Sequence, residues 1–270
     1  MKYFLILLFV LVSFCASSQY WFGPKVGFSN ITHNYQESAY RDTFNIPSDW
    51  NFQAGVAVSY TATDRYAVYG ELLYERISKK VTDRFTGGDV ADSRMNNHFI
   101  SVPVMLRITL GRVPFHYYVN GGPRLAYWLG GNGTLNTEEN LEFGEEDENG
   151  NILPIEYKIR FNASKVRNDL SESSALVNKP NRLQFGLTAG AGMFLDIQGG
   201  GRLQFDFRYT WVHSNLATND GDNDIGFSDS SYRENFEHYH GIATIGVAYM
   251  FAYNSQLRRK GKSTSKESNN

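Results

Sequence analysis

Between residues 203 and 211 every second position is large and apolar or aromatic: Leu203, Phe205, Phe207, Tyr209 and Trp211. Gln204, Asp206, Arg208 and Thr210 stand between them. A β-strand sends successive side chains to opposite faces, so this stretch has one greasy face and one polar face. The pattern recurs about eight times along the chain, with glycines and charges gathered on the second face. That arrangement describes a closed barrel with lipid outside and a polar lumen.

The alternation predicts strands over residues 21–29, 51–61, 66–79, 98–110, 115–129, 183–197, 203–211 and 238–251. The first strand sends Phe22, Pro24, Val26 and Phe28 outward and Gly23, Lys25, Gly27 and Ser29 inward. On the third, Val68, Gly70, Leu72 and Tyr74 point out; Tyr69, Glu71, Leu73 and Glu75 point in. Arg107, Arg124 and Asp196 fall on the inner faces of the fourth, fifth and sixth strands, and Asp206 and Arg208 on that of the seventh.

The connections support the strand count independently. Those after the second, fourth and sixth strands are only about four residues, as expected of periplasmic turns. Those after the first, third, fifth and seventh are long, at 30–50, 80–97, 130–182 and 214–237. Alternating short turns and long surface loops are the mark of an outer-membrane barrel. The expected fold is all-β: a monomeric, eight-stranded, antiparallel up-and-down transmembrane β-barrel.

The N-terminus agrees with that location. Lys2 precedes an apolar run from Tyr3 to Val12, and Ala16 and Ser18 stand three and one residues before Gln19. This reads as a secretory signal peptide cleaved before Gln19. The run is too short for a membrane anchor, which needs roughly 20 apolar residues. Cys15 is preceded by the large Phe14, which disfavours a lipoprotein. Cleavage removes the one cysteine, and with it disulfide and thiol chemistry. The expected organisation is a signal peptide over 1–18, a barrel over 19–253, and a basic periplasmic tail over 254–270. The tail carries Arg258, Arg259, Lys260, Lys262 and Lys266 without apolar periodicity, so it should be disordered.

Composition sharpens the picture. The formal net charge is −2 and the mean hydropathy is −0.40, which argues against a helical membrane protein. Seventeen Tyr and 19 Phe suit the aromatic girdles of a barrel. No basic domain or basic-aromatic motif points to nucleic acid. A soluble, lipocalin-like barrel is disfavoured because the inner set is charged and the outer face greasy.

Several motifs resemble the PorT-like outer-membrane β-barrel proteins of Bacteroidota. Pro24-Lys25-Val26-Gly27-Phe28-Ser29-Asn30 and Gly70-Glu71-Leu72-Leu73-Tyr74 match in the first and third strands. Residues 99–107, with Pro103 and a basic end at Arg107, match the family pattern of the fourth. Gly121-Gly122-Pro123-Arg124-Leu125-Ala126-Tyr127 and Phe207-Arg208-Tyr209 also fit, so the resemblance spans the mature chain. It implies a barrel fold and an outer-membrane location, with no single activity. Some family members are accessory parts of the type IX secretion apparatus.

Eight charges are expected in the lumen: Lys25, Arg107, Arg124 and Arg208 against Glu71, Glu75, Asp196 and Asp206. The interior of a small eight-stranded barrel is just filled by side chains. Buried charges must then be paired, and the reading is a salt-bridged polar plug with no cofactor or metal. Glu71 and Arg107 are the expected pair, because their strands are neighbours. A gated ion path or binding cavity is the sharper alternative.

His213 and Ser214 resemble the His and Ser of outer-membrane lipid A deacylases. Those enzymes place one residue between the two, so that both share a face; here they are adjacent. A lipid-modifying hydrolase is therefore the alternative, not the main reading. His238 and His240 share a face of the last strand, near Glu234 and Glu237; such a pair can bind metal, but polar filling of the lumen is the expectation. The acidic runs 145–151 and 220–224 are taken as solvated surface, the second lacking the closing Glu of a Ca²⁺ loop. The loop after the fifth strand is too long for a mere connection. From Ile155 it alternates and is expected to continue as a strand above the membrane.

The expected function is therefore non-enzymatic: a structural, binding or secretion-accessory role exercised through surface loops. Outer-membrane lipid and lipopolysaccharide are its surroundings, other envelope or secretion proteins its partners, and nucleic acid has no part.

Overall fold

The computed structural model describes residues 19–35, 38–84, 90–112, 115–137, 146–148, 153–161, 174–177, 179–197, 200–217 and 236–253. Eleven strands and a short helix, α1 (Ser38–Thr43), lie within them. Eight long strands close a ring: β1 (Gln19–Tyr35), β3 (Asp49–Thr61), β4 (Tyr66–Asp83), β5 (Val90–Arg112), β6 (Phe115–Thr137), β9 (Leu183–Ile197), β10 (Gly201–Val212) and β11 (His238–Tyr253). Every neighbouring pair in the ring is antiparallel. Closure comes from β1, which pairs with β3 on one side (Lys25 opposite Gly55) and with β11 on the other (Lys25 opposite Ala248).

Closure matters because a membrane offers no water to unpaired backbone groups, and a ring leaves no open edge. Among the described residues no helix is long and apolar enough to cross a membrane. The strands do so, and the outward faces show it. Phe22, Val26 and Phe28 on β1, Val56 and Val58 on β3, and Phe205 and Phe207 on β10 all stand exposed. Aromatic rings flank this belt at both ends. Tyr20 packs on Tyr60 at the short-turn end, with centroids 5.1 Å apart; Tyr209 packs on Trp211 at the other, 4.7 Å apart.

The short turns are tight for local reasons. Between β3 and β4 the Ala62 and Thr63 amides donate to the Tyr66 carbonyl, at 3.0 and 3.2 Å, and the Tyr66 amide donates to Thr63 Oγ1. Gly111, next to last in β5, and Gly200, in the β9–β10 turn, have φ of 97° and 89°, a region open mainly to glycine.

Four of the eight ring strands run well past the belt, further than the alternation predicted. β1 continues to Tyr35, β4 to Asp83, and β5 and β6 together from Val90 to Thr137. The reason is an inversion of the pattern. Beyond Ser29 the inward residue is Ile31, and the outward ones are Asn30, Thr32 and Asn34. Water has replaced lipid outside, so the greasy face turns inward. A strand rule keyed to apolar-out alternation stops where the rule reverses.

The extensions enclose a second, apolar core at the long-loop end. Ile31, Ile77, Phe99, Trp128, Val212 and Ile242 form its floor and sides. β7 (Ile155–Phe161) pairs with Gly131–Leu135 of β6, so this part of the long loop does continue as a strand. It buries Tyr157 and Ile159 and exposes Glu156, Lys158 and Arg160. β8 (Ser174–Val177) lies parallel to β7 and adds Val177. A register shift at His98/Phe99, opposite Gly130 at φ 144°, sits where belt gives way to cap. There Trp128 Nε1 donates to the Asn97 Oδ1 and Gly130 carbonyl oxygens, both at 3.1 Å. The two-residue β2 (Phe44–Asn45) pairs with the end of β4. The expected signal peptide, the basic tail and the 220–224 run lie outside the described residues, as does most of the 145–151 run.

Candidate functional site

The lumen within the belt is filled by four tiers of polar side chains, set by the register of β1, β4 and β10. At its centre Lys25 Nζ lies 2.7 Å from Glu71 Oε1 and also contacts Asp206 Oδ2. Arg208 Nη1 donates to the other Glu71 oxygen at 2.6 Å, and its Nε stands 3.9 Å from Asp206 Oδ1. Two cations and two carboxylates therefore form a neutral quartet drawn from three strands. Lys25 is 1% exposed and Glu71 4%.

Glycine makes the quartet possible. A Cβ at Gly246 would stand 3.0 Å from Lys25 Cε and 3.1 Å from Asp206 Oδ1. One at Gly190 would stand 2.6 Å from the Arg208 Cβ. At these two positions the missing side chain leaves the space that Lys25, Asp206 and Arg208 occupy.

One tier towards the long loops, Arg124 contacts Glu75, and Ser101 Oγ donates to the other Glu75 oxygen at 2.6 Å. One tier towards the short turns, Arg107 lies between the rings of Tyr69 and Tyr118, 3.8 and 3.9 Å from their centroids. Its Nη1 donates to Gln204 Oε1 at 2.9 Å, and Gln204 Nε2 donates to the Tyr69 hydroxyl at 3.0 Å. The lowest tier is a half-buried rim. Arg202 donates to both Asp196 oxygens, at 2.7 and 3.3 Å, and lies over Trp21 and Phe194. His116 Nε2 stands 3.6 Å from the same carboxylate.

All eight expected residues thus point into the barrel, but they do not form one network, and the expected Glu71–Arg107 pair is absent. Arg107 is opposite Ala67 in the ladder, four residues down β4 from Glu71. At about 3.4 Å per residue that separation is about 14 Å along the strand. Glu71 takes its partners from across the lumen instead. Asp196 likewise belongs to the rim, apart from the central quartet.

Arg202 was missed by the sequence reading, although it lies on the same face as Gln204, Asp206 and Arg208, one alternation earlier. Tyr69, expected inside without a role, and Tyr118 on β6 serve as the neutral partners of Arg107.

The space left over is unequal. A cavity of about 650 Å³ opens at the short-turn end, lined by Trp21, Arg107, His116, Phe194, Asp196 and Arg202 among others. Between Glu75, Arg124, Arg208, Thr188 and Thr210 the void is about 10 Å³. That is about the room one water needs. Above it lies the apolar cap.

His213 and Ser214 stand where the chain leaves β10. Ser214 Oγ accepts from the Phe185 amide at 2.9 Å, and the His213 amide donates to the Phe185 carbonyl at 2.9 Å. The His213 ring is stacked on Tyr239.

Among solved structures the chain is similar to OprG of Pseudomonas aeruginosa: 9% identity, 88% of this chain and 97% of that one, TM-score 0.43. It is similar to Neisserial surface protein A, at 8% identity, 86% and 97% coverage and TM-score 0.37. Ail, the attachment invasion locus protein of Yersinia pestis, aligns at 12% identity, 86% and 98% coverage and TM-score 0.35. These likenesses concern the fold alone. No curated protein matches the sequence. Residues 16–216 match the outer membrane protein beta-barrel domain, a stretch that runs from before β1 to beyond β10. The chain belongs to that family and is an outer-membrane β-barrel protein.

Proposed function

We propose that this barrel is a closed, non-enzymatic scaffold whose role is structural or recognition-based and is exercised at its long-loop end. The observation that carries the reading is the filled lumen. Charged tiers and an apolar cap lie in series, with a void of about 10 Å³ between the quartet and the cap. A barrel used for diffusion would need a continuous polar path. Here the short-turn cavity stops beneath Arg107 and the quartet.

The long-loop end, by contrast, holds the longer connections, β7 and β8. Loops on a rigid scaffold are where recognition commonly resides. The engaged Ser214 hydroxyl and the stacked His213 ring favour this reading over hydrolysis, since a Ser nucleophile needs a base within hydrogen-bond reach. Membership among the PorT-like proteins of Bacteroidota, and with it a secretion-accessory role, is part of the proposal and rests on the motifs around Lys25, Glu71 and Arg124.

Reconstitution into a planar bilayer is the test. The proposal expects no stable open conductance. A persistent one would overturn the closed lumen. Crosslinking in the native outer membrane, followed by co-purification, should recover an envelope protein joined through the long-loop end. Loss of an acyl chain from lipid A in the presence of this protein, and not of Ser214→Ala, would favour the hydrolase.

A further inference from the structure

Three imidazoles meet inside the cap. β1 and β11 set His33 directly opposite His240, and His238 lies two residues along the same face of β11. The ring centroids are 5.0 Å apart for His33 and His240, 5.1 Å for His33 and His238, and 4.7 Å for His238 and His240. A nitrogen from each ring lies within 4.8 Å of the others.

We propose that His33, His238 and His240 form a binding site for a divalent transition metal of the Zn²⁺ or Cu²⁺ class. It lies at the seam where the first and last strands of the barrel meet. Imidazole nitrogen is the ligand these borderline ions take, and three histidines with an open fourth position is an established zinc geometry.

Tautomer and orientation favour it. His33 Nε2 is 3.3 Å from the Ser78 carbonyl oxygen, which can only accept. The proton therefore sits on Nε2, and the lone pair is on Nδ1. A metal-ligating His is commonly held by such a bond from its second nitrogen. His33 Nδ1 and His240 Nε2 are buried without a hydrogen-bond partner among the described residues. A buried polar atom left without a partner is costly, and a metal ion would satisfy both at once.

The geometry needs only a small closure. Tetrahedral ligands at about 2.05 Å from Zn²⁺ stand about 3.3 Å apart. Rotation about χ2, a broad torsion in His, can bring the nitrogens together. His238 is backed by Tyr35, whose ring is stacked on it at 4.7 Å.

Lys79 opposes a cation here, but its ammonium is turned to the Tyr35 hydroxyl at 2.8 Å and lies over the Tyr35 and Tyr40 rings. A bound metal would carry water or an anion in its fourth position and would clamp β1 to β11. The sequence pair His238 and His240 supplies only two ligands. His33 lies beyond the predicted end of the first strand, and only the closed ring brings it to the pair.

The test is calorimetric titration of Zn²⁺ into the full chain, without a polyhistidine tag, folded in detergent micelles. One saturable Zn²⁺ per barrel is expected. His33→Ala and His240→Ala should each weaken it by at least about 10-fold, the scale found even for groups that merely orient a metal ligand. Should either variant not fold, the Cu²⁺ complex of the unaltered protein decides: its electron paramagnetic resonance should show coupling to three imidazole nitrogens. Absence of saturable binding would overturn the proposal. So would unchanged affinity in both folded variants, or a Cu²⁺ spectrum with oxygen ligands alone; either would place the metal on an acidic loop.

Discussion

The belt and the cap of this barrel share β1, β4, β5 and β6 but have opposite chemistry, and β7 and β8 join only the cap. In the belt Phe205 and Phe207 face outward and Asp206 and Arg208 inward. In the cap Glu156 and Lys158 face outward, and Tyr157 and Ile159 inward. The backbone geometry is continuous through β1, so only the solvent outside has changed. A lipid neighbour removes the reason to hide apolar groups, and the lumen is then free to hold charges that pair across it. A water neighbour restores the ordinary preference, and the interior becomes mainly apolar, with Lys79 and the three histidines held among its rings. One closed sheet thus has two cores of different kinds, one held by charge pairing and one by hydrophobic packing.

Four substitutions test that contrast. The largest effect is expected in the belt lumen. Glu71→Ala removes the carboxylate shared by Lys25 and Arg208 and leaves uncompensated buried charge. A loss of about 3–5 kcal/mol is expected for breaking such a pair, read by urea unfolding in lipid vesicles. Next is the belt exterior. Phe207, 56% exposed, faces lipid; Phe207→Arg should cost about 2–4 kcal/mol near the mid-plane, in the same assay.

Within the cap the rules are those of a soluble protein. Ile77→Val trims one methylene from the apolar core and should cost about 0.5–1.5 kcal/mol. The smallest effect is expected outside the cap. Lys158→Leu, on the outward face of β7, should change stability by less than about 0.5 kcal/mol. A loss from Lys158→Leu equal to that from Phe207→Arg would erase the distinction between the two exteriors.

Much of the belt was legible in the sequence. The period of two assigned each side chain of residues 203–211 to its face, and the alternation of short and long connections supplied a separate count of strands. What lay across the lumen was not legible. Whether Lys25 meets Glu71 or Glu75 depends on strand tilt and stagger, which no single strand records. Neighbouring strands suggested Arg107 for Glu71, while the ladder sets them four residues apart along β4.

The cap was hidden for another reason. Ile31, His33 and Tyr35 continue the alternation of β1 with its polarity reversed, which reads as the end of a strand when only the lipid rule is applied. β8 is four residues long, and its parallel pairing with β7 is non-local information.

The most direct test of the inversion is a pair of spin labels. The chain has a single cysteine, Cys15, ahead of the barrel. On a Cys15→Ala background, Phe207→Cys and Lys158→Cys would each carry one label in the barrel, on protein reconstituted in lipid vesicles. Collision rates with oxygen, which concentrates in lipid, and with a water-soluble nickel chelate then report the solvent at each site. Residue 207 should collide mainly with oxygen and residue 158 mainly with the chelate. A lipid-like signal at 158, or a water-like signal at 207, would contradict the account.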